Sequence, residues 1–116
     1  MNQELTVFDL QAQLCQSLGN ALRLQIIHTL KEEPKSVNGL ALTLGIPQSS
    51  ASRHLARLRS VGILNSQRKG AEIFYEIANP KIVAVCEMMR TILAERDAHR
   101  VEILSLIQEL PTATFL

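Results

Sequence analysis

The chain has 116 residues, a formal net charge of +1, 47% hydrophobic and 3% aromatic residues, and no tryptophan. This length suits one domain, and the near-neutral total gives no reason to expect a polyanionic partner from net charge alone. The apolar fraction is sufficient for a core of Leu, Ile, Val and Ala, which is typical of helices. We expect a single, mainly α domain over residues 1–116.

The sequence gives no sign of membrane insertion or export. No run approaches the roughly 20 apolar residues of a membrane span, and the N-terminal MNQELTVFDLQ lacks the basic and apolar regions of a signal peptide. We expect a cytoplasmic protein without a membrane partner, in a compartment where thiols are normally reduced. The sequence shows no nucleophile–base pair, phosphate loop or credible metal constellation, so we expect neither an enzyme nor a cofactor.

Helical patterns begin near the N-terminus. Apolar residues recur at helical spacing over residues 5–18, and they are Val7, Leu10, Leu14 and Leu18. Asn20 is a good N-cap for a second helix over residues 21–31. The following KEEPKS sequence predicts a polar connection with a break at Pro34.

A pair of short helices follows. Ser36 can cap a third helix from Val37 to Leu44, and Gly45 ends it. A fourth helix lies within IPQSSASRHLARLRSVG. Two short helices joined by a few residues with a glycine at the bend form a helix-turn-helix, predicted here over about residues 36–62.

The fourth helix has two different faces. Ala51, Leu55 and Leu58 recur at helical spacing and predict a face that packs on the core. The remaining surface carries Gln48, Ser49, Ser52, Arg53 and Arg57. Base edges in a major groove require short donors and acceptors, and the flanking phosphates require positive charge. We interpret this helix as a DNA recognition helix; the alternative is a solvated helix that happens to be basic.

A β-hairpin is predicted directly after the fourth helix. Residues Leu64 to Gln67 and Glu72 to Ile77 predict two strands, joined by an RKGA turn whose glycine can supply a positive φ. A hairpin in this position, with Arg68 and Lys69 at its tip, indicates a wing over about residues 63–78. Its tip can lie on the DNA backbone or enter a minor groove, and the alternative is a solvated, charged turn.

The last predicted element is a helical region over about residues 80–110. Asn79 can cap it and Pro80 suits its first turn, while the polar AERDAHR sequence can bend or break it. Its apolar residues are Ile82, Val85, Cys86, Met89, Ile92, Leu93, Val101, Leu104, Ile107 and Leu110. One domain of this size has no obvious place to bury so long a stripe. We therefore predict a homodimer through the helices at about 5–18 and 80–110; the alternative is that both pack on their own core.

Three sequence stretches, LGNALRLQIIHTL, LALTLGIPQSSASRHLARLRSVGIL and SQRKGAEIFYEIA, resemble the ArsR/SmtB family of bacterial repressors. The resemblance covers about residues 14–89 and departs at Asn20, where Asp is more usual. It implies a dimeric winged helix-turn-helix repressor that binds double-stranded operator DNA and loses affinity when an inducer binds elsewhere. It places Gln48, Ser49, Ser52 and Arg53 at base edges or nearby phosphates and gives His54 a minor role.

The metal sites of this family are not expected here. The positions that match one site are Ser36 and Asn38, and those that match the other are Asn79, Lys81, Ile92 and Glu95. Ser and Asn are poor ligands for soft metals, Lys81 is a cation and Ile92 has no donor atom. A metal-responsive repressor with a non-standard site is an alternative, and its imaginable ligands are His28, Glu95, Asp97 and His99.

The two cysteines are the remaining sensor candidates. The resemblance implies that the first and last helices pack together at the dimer interface, so Cys15 of one subunit could approach Cys86 of either subunit. Oxidation or a thiol-reactive ligand there would change the helix packing and the spacing of the recognition helices. The alternative is two buried cysteines that act as small hydrophobes. A winged-helix module that binds protein instead of DNA is the competing function.

Overall fold

The computed structural model describes residues 4–98 and residue 106. Over these residues the chain forms five helices and a three-stranded antiparallel sheet. The elements are α1 (Val7–Leu18), α2 (Ala21–Leu30), β1 (Lys35–Ser36), α3 (Val37–Leu44), α4 (Gln48–Ser60), β2 (Leu64–Lys69), β3 (Glu72–Ile77) and α5 (Pro80–Arg96). The mainly α, winged helix-turn-helix fold predicted from the sequence is confirmed.

Side-chain caps fix where most helices begin. The side chains of Asn20, Ser36 and Asn79 accept hydrogen bonds from the first-turn amides of α2, α3 and α5, as predicted. Helix α1 begins at Val7, two residues after the predicted start, because Thr6 forms a capping box with Asp9. Each cap satisfies a backbone donor that has no partner within the helix.

The sheet corrects two predictions. Strand β3 is central and pairs with β2, from Leu64 opposite Ile77 to Lys69 opposite Glu72. Strand β2 thus extends two residues past its predicted end at Gln67, and only Gly70 and Ala71 remain in the turn. The other partner of β3 is β1, which lies in the segment predicted to be only a polar connection. Two residues carry too little pattern to reveal a strand, and its pairing partner is distant in sequence.

The core lies between α2, α3, α4 and the hairpin. Its most buried aliphatic side chains are Ile26, Ile27, Leu30, Leu40, Leu44, Leu55, Leu58, Ile63 and Leu64. Fully burying one Leu or Ile contributes about 1.5–3 kcal/mol, so this cluster dominates the stability of the domain. Ala51, Leu55 and Leu58 all point into it, which confirms the predicted inner face of the fourth helix.

Helices α1 and α5 do not bury their apolar stripes within the described chain. On α1 only Ser17 and Leu18 are buried, and on α5 only Cys86. The exposed apolar residues are Val7, Phe8, Leu10, Leu14, Val85, Met88, Met89, Ile92 and Leu93. The alternative in which both stripes pack on the core of their own chain is therefore wrong for these residues.

The predicted last helix stops at the polar AERDAHR sequence, where Asp97 is the C-cap of α5. Apart from Leu106, the second half of that prediction falls outside the described residues, together with its apolar positions Val101, Leu104, Ile107 and Leu110. Across the part of the chain that is described, no helix combines the length and apolarity that a bilayer crossing requires.

Candidate nucleic-acid interface

A short turn joins α3 to α4. Gly45 ends α3 with φ of +66°, a left-handed conformation that costs glycine no steric energy. The amide of Ile46 donates to the carbonyl of Ala41 at 3.0 Å and closes the end of α3. Pro47 then precedes the first residue of α4. The helix-turn-helix predicted from the sequence is therefore present, with the predicted α3 boundaries.

The outer face of α4 is available for a ligand. Gln48, Ser49, Ser52 and Arg53 are exposed, on the side away from the buried Ala51. Within the part of the chain that is described, none of these four side chains is held in a hydrogen bond or ion pair. They can therefore reorient to meet donors, acceptors and phosphates on a partner surface.

The first turn of α4 adds backbone donors to this face. Its N-cap, Pro47, makes no side-chain hydrogen bond, in contrast to the polar caps of the other helices. Amides in the first turn of a helix lack partners within the helix and carry partial positive charge. The start of α4 therefore favours an anionic group such as a phosphate, which the nearby Arg53 reinforces.

The hairpin is joined to the end of α4. Arg59 of α4 donates from Nη1 to Ser66 Oγ of β2 at 3.0 Å. Arg68 and Lys69, both exposed, are consecutive residues of β2 and not part of the turn. Consecutive strand residues point to opposite faces, so the two cations serve different sides of the hairpin. Lys69 Nζ lies 5.5 Å from the centre of the Phe74 ring, within cation–π range.

Arg57, the remaining basic residue predicted on this surface, is bonded to another helix. Its Nε donates to Ser17 Oγ of α1 at 3.2 Å, and Ser17 is fully buried. The two residues are 40 positions apart, so no local sequence pattern could have revealed this pair.

Arg23 and His54 form a second connection beside the first. Arg23 Nε donates to the Ser17 carbonyl at 2.6 Å, and its Nη1 lies 3.3 Å from His54 Nδ1. Arginine has no acceptor, so Nδ1 accepts and the ring proton lies on Nε2. Burial lowers the pKa of His54, and the charges of Arg23 and Arg53 lower it further. The ring is therefore neutral near pH 7. Its contact with Arg23 is a structural role that was not predicted from the sequence.

The two cysteines differ in accessibility. Cys15 on α1 is exposed and Cys86 on α5 is buried, and both are free thiols. Burial raises the pKa of Cys86, with Glu87 adding to the effect and Arg90 opposing it, so the thiol form is favoured. The alternative of two buried cysteines is wrong for Cys15 in a single chain. Whether the two thiols meet across a dimer stays a prediction.

The described residues do not support a metal site formed by His28, Glu95, Asp97 and His99. In residues 4–98 and 106, no group of three or more His, Cys, Asp and Glu side chains could hold an ion. His99, one of the four imagined ligands, lies outside that range.

Comparison with known proteins reveals related sequences and folds. The sequence model described as "Bacterial regulatory protein, arsR family" matches residues 20–66, which contain the helix-turn-helix. The transcriptional repressor PagR of Bacillus anthracis is 33% identical over 82 residues, which cover 70% of this chain and 82% of PagR.

Two of the similar solved structures illustrate the match to most of the chain. Reduced HlyU from Vibrio cholerae has a TM-score of 0.64 and 30% identity, and the match covers 72% of this chain and 87% of that chain. HlyU of that species is named a transcriptional activator. A homodimeric winged helix-turn-helix DNA-binding domain from Mycobacterium bovis, described as a possible ArsR-family regulator, has a TM-score of 0.74 and 25% identity. That match covers 86% of this chain and 96% of the other.

Proposed function

This chain belongs to the arsR family of bacterial regulatory proteins, and from this membership we propose that it is a homodimeric transcriptional repressor that binds operator DNA. The observation that carries the proposal is the two-sided character of α4. Its inner face is buried in the core, and its outer face presents Gln48, Ser49, Ser52 and Arg53 unengaged. A helix that packs on the core with one face and exposes polar side chains on the other suits insertion into a major groove.

The local excess of positive charge in α4 and the hairpin supports a nucleic-acid partner. From residue 48 to residue 70 the chain has five Lys or Arg residues and no Asp or Glu. Arg53 provides a cation on the outer face of α4, and Arg68 and Lys69 extend the positive charge along β2 of the hairpin, one on each side of it. We assign Arg53, Arg68 and Lys69 to phosphates or base edges, and Gln48, Ser49 and Ser52 to base edges or the nearest phosphates.

Dimerisation is supported by the apolar faces of α1 and α5. A second copy of the chain could cover both stripes at once, because a two-fold axis brings the same patch of each subunit together. The related domain from Mycobacterium bovis is described as homodimeric. Two copies related by such an axis would present two α4 helices to half-sites about 34 Å apart, one turn of DNA.

Binding to selected DNA duplexes tests the proposal. We expect one dimer to bind a selected duplex, with an affinity that falls steeply as salt rises, because phosphate contacts release counterions. Arg53→Ala should weaken binding about tenfold and reduce the salt slope by about one per chain. Arg96→Ala on α5 is the matched control, since it removes the same charge away from the proposed surface.

Failure to enrich any sequence from random duplexes would contradict DNA binding and would favour the winged-helix module that binds protein. Equal binding by the Arg53→Ala and Arg96→Ala variants would instead contradict the assignment of Arg53 to the DNA interface. Transcription in vitro from a promoter that contains the selected site then decides the sign of regulation. A repressor lowers transcript yield, whereas an increase would align this chain with the activator HlyU.

Thiol chemistry is the proposed route of induction. Cys15 is exposed and is the thiol that a reagent would meet first, whereas Cys86 requires local opening of α5. An added oxidant would accept two electrons as the two thiols lose two protons and form one S–S bond. We expect the oxidant to release DNA from the wild-type protein but not from Cys15→Ser or Cys86→Ser. Unchanged release from both variants would contradict the thiol route.

A further inference from the structure

We propose that Arg57 is a positioning residue that holds α4 against the end of α1, and that it does not contact DNA. It acts with Ser17, Arg23 and His54, a set that we name the α1–α4 bridge. The inference rests on the proposed function, because it assigns a role beside the same DNA-binding surface. It removes one cation from the predicted contacts and makes it part of the connection between two helices.

The Arg57–Ser17 contact is specific because Ser17 has no access to water. A buried hydroxyl oxygen that loses a donor is left with an unfavourable, unpaired lone pair. Arg57 Nε supplies that donor at 3.2 Å, so the Nε edge of the guanidinium faces α1 although the residue as a whole is exposed. Arg53 on the same helix has no such bond within the described residues and stays directed to the outer face.

Arg23 fixes the end of α1 from the other side. Carbonyls in the last turn of a helix lack partners within the helix and attract a cation. The guanidinium of Arg23 donates to the carbonyls of Ser17 and Gln16, at 2.6 and 3.4 Å. The same group reaches His54, so one side chain connects α1, α2 and α4.

The two connections together fix the rotation of α4 as well as its position. His54 and Arg57 are three residues apart and therefore neighbours on one flank of the helix. Contacts at two neighbouring points on one flank resist both sliding and turning of α4. Because α1 also carries an exposed apolar stripe, a shift of α1 in the dimer would pass through the α1–α4 bridge to the recognition helix.

DNA titrations at several salt concentrations test the role of Arg57. We expect Ser17→Ala and Arg57→Ala each to weaken binding about tenfold, and the double variant to lose no more than either single variant. Both should keep the wild-type salt slope, because neither removes a phosphate contact. Arg57→Lys should bind as weakly as Arg57→Ala, since Lys keeps the charge but has no donor at the Nε position.

Arg53→Ala is the matched control, since it should lower both affinity and salt slope. The proposal is overturned if Arg57→Ala lowers the slope as Arg53→Ala does, if Arg57→Lys restores binding, or if Ser17→Ala binds as tightly as the wild type.

A DNA-free measurement separates this inference from the proposed function. Hydrogen exchange of the α4 amides should be faster in Ser17→Ala and Arg57→Ala than in the wild type, and unchanged in Arg53→Ala. Exchange that is equal in all four proteins overturns the α1–α4 bridge even if DNA binds. If the wild type binds no duplex, the DNA-binding proposal fails, and the exchange comparison still decides whether the bridge exists.

Discussion

Helices α1 and α4 are nearly equal in length, 12 and 13 residues, and each has an apolar stripe at helical spacing. The stripe of α4 is covered by the core of its own chain, whereas most of the α1 stripe is exposed. Periodicity therefore reveals an apolar face but not the molecule that covers it. What distinguishes the two helices is their place in the fold, since α4 is enclosed by α2, α3 and the hairpin, and α1 lies at the edge.

The largest effect is expected from a substitution that creates a cavity beneath α4. Leu58 is 0% exposed, so Leu58→Ala should lower the free energy of unfolding by about 3 kcal/mol through lost burial and an unfilled cavity. Urea denaturation at fixed protein concentration measures the loss. Leu42→Ala is the control, because Leu42 of α3 is 76% exposed and its truncation should change stability by less than about 0.5 kcal/mol. Equal losses would show that α4 lacks core support.

A charge on the α1 stripe should break the dimer and leave the fold intact. Leu10 is 49% exposed in the single chain, so Leu10→Glu costs little there but buries a charge in the proposed interface. We expect the dimer dissociation constant to rise about 100-fold, or about 2.7 kcal/mol, in sedimentation equilibrium. Leu42→Glu makes the same change on α3 and should leave the dimer unchanged. If both variants behave alike, α1 is not an interface helix.

Removing the N-caps of α5 and α1 should have smaller effects on stability, and the two effects should differ. Asn79 Oδ1 accepts from the amide of Lys81 at 2.9 Å and starts α5, so Asn79→Ala should cost about 1 kcal/mol. Thr6→Ala removes the cap of α1, where few side chains are buried, and should mainly loosen that helix locally. Thermal unfolding should therefore detect Asn79→Ala, and hydrogen exchange of α1 should detect Thr6→Ala. A larger thermal effect from Thr6→Ala would contradict this order.

The smallest expected effect is a pH dependence from His28, a buried residue of α2. Burial lowers its pKa, the charges of Lys31 and Arg90 lower it further, and Glu87 and Glu32 oppose them. In the unfolded chain the pKa returns to about 6.5, so below this pH the unfolded state binds more protons. Stability should therefore be constant above about pH 7 and fall as the pH drops toward 5.

Unfolding free energies measured between pH 8 and 5 check this dependence. His28→Gln should flatten the acid side of the curve. His54→Gln is the comparison variant, because the pKa of His54 is also lowered, and the double variant should be flatter than either single variant. A wild-type stability that rises on acidification would show that the sign is wrong.

The parts of the fold that local chemistry determines were predictable. Asn20, Ser36 and Asn79 cap helices where expected, and Gly70 adopts a positive φ in the hairpin turn. Each of these signals depends on residues within about four positions, so the sequence displays it directly.

The parts that depend on distant partners were not predictable. Strand β1 exists because β3 lies beside it, and the orientation of Arg57 depends on Ser17 of another helix. Each cysteine directly follows an apolar residue of a helix, Leu14 or Val85, yet only Cys86 is buried. Tertiary packing decides such cases, and no periodic pattern records which neighbour a side chain meets.

Ser36 is at once the last residue of β1 and the N-cap of α3. With no residue between them, a displacement of β1 would pass directly to the start of α3. Lengthening the chain by one residue at this joint would turn α3 by about 100° about its axis.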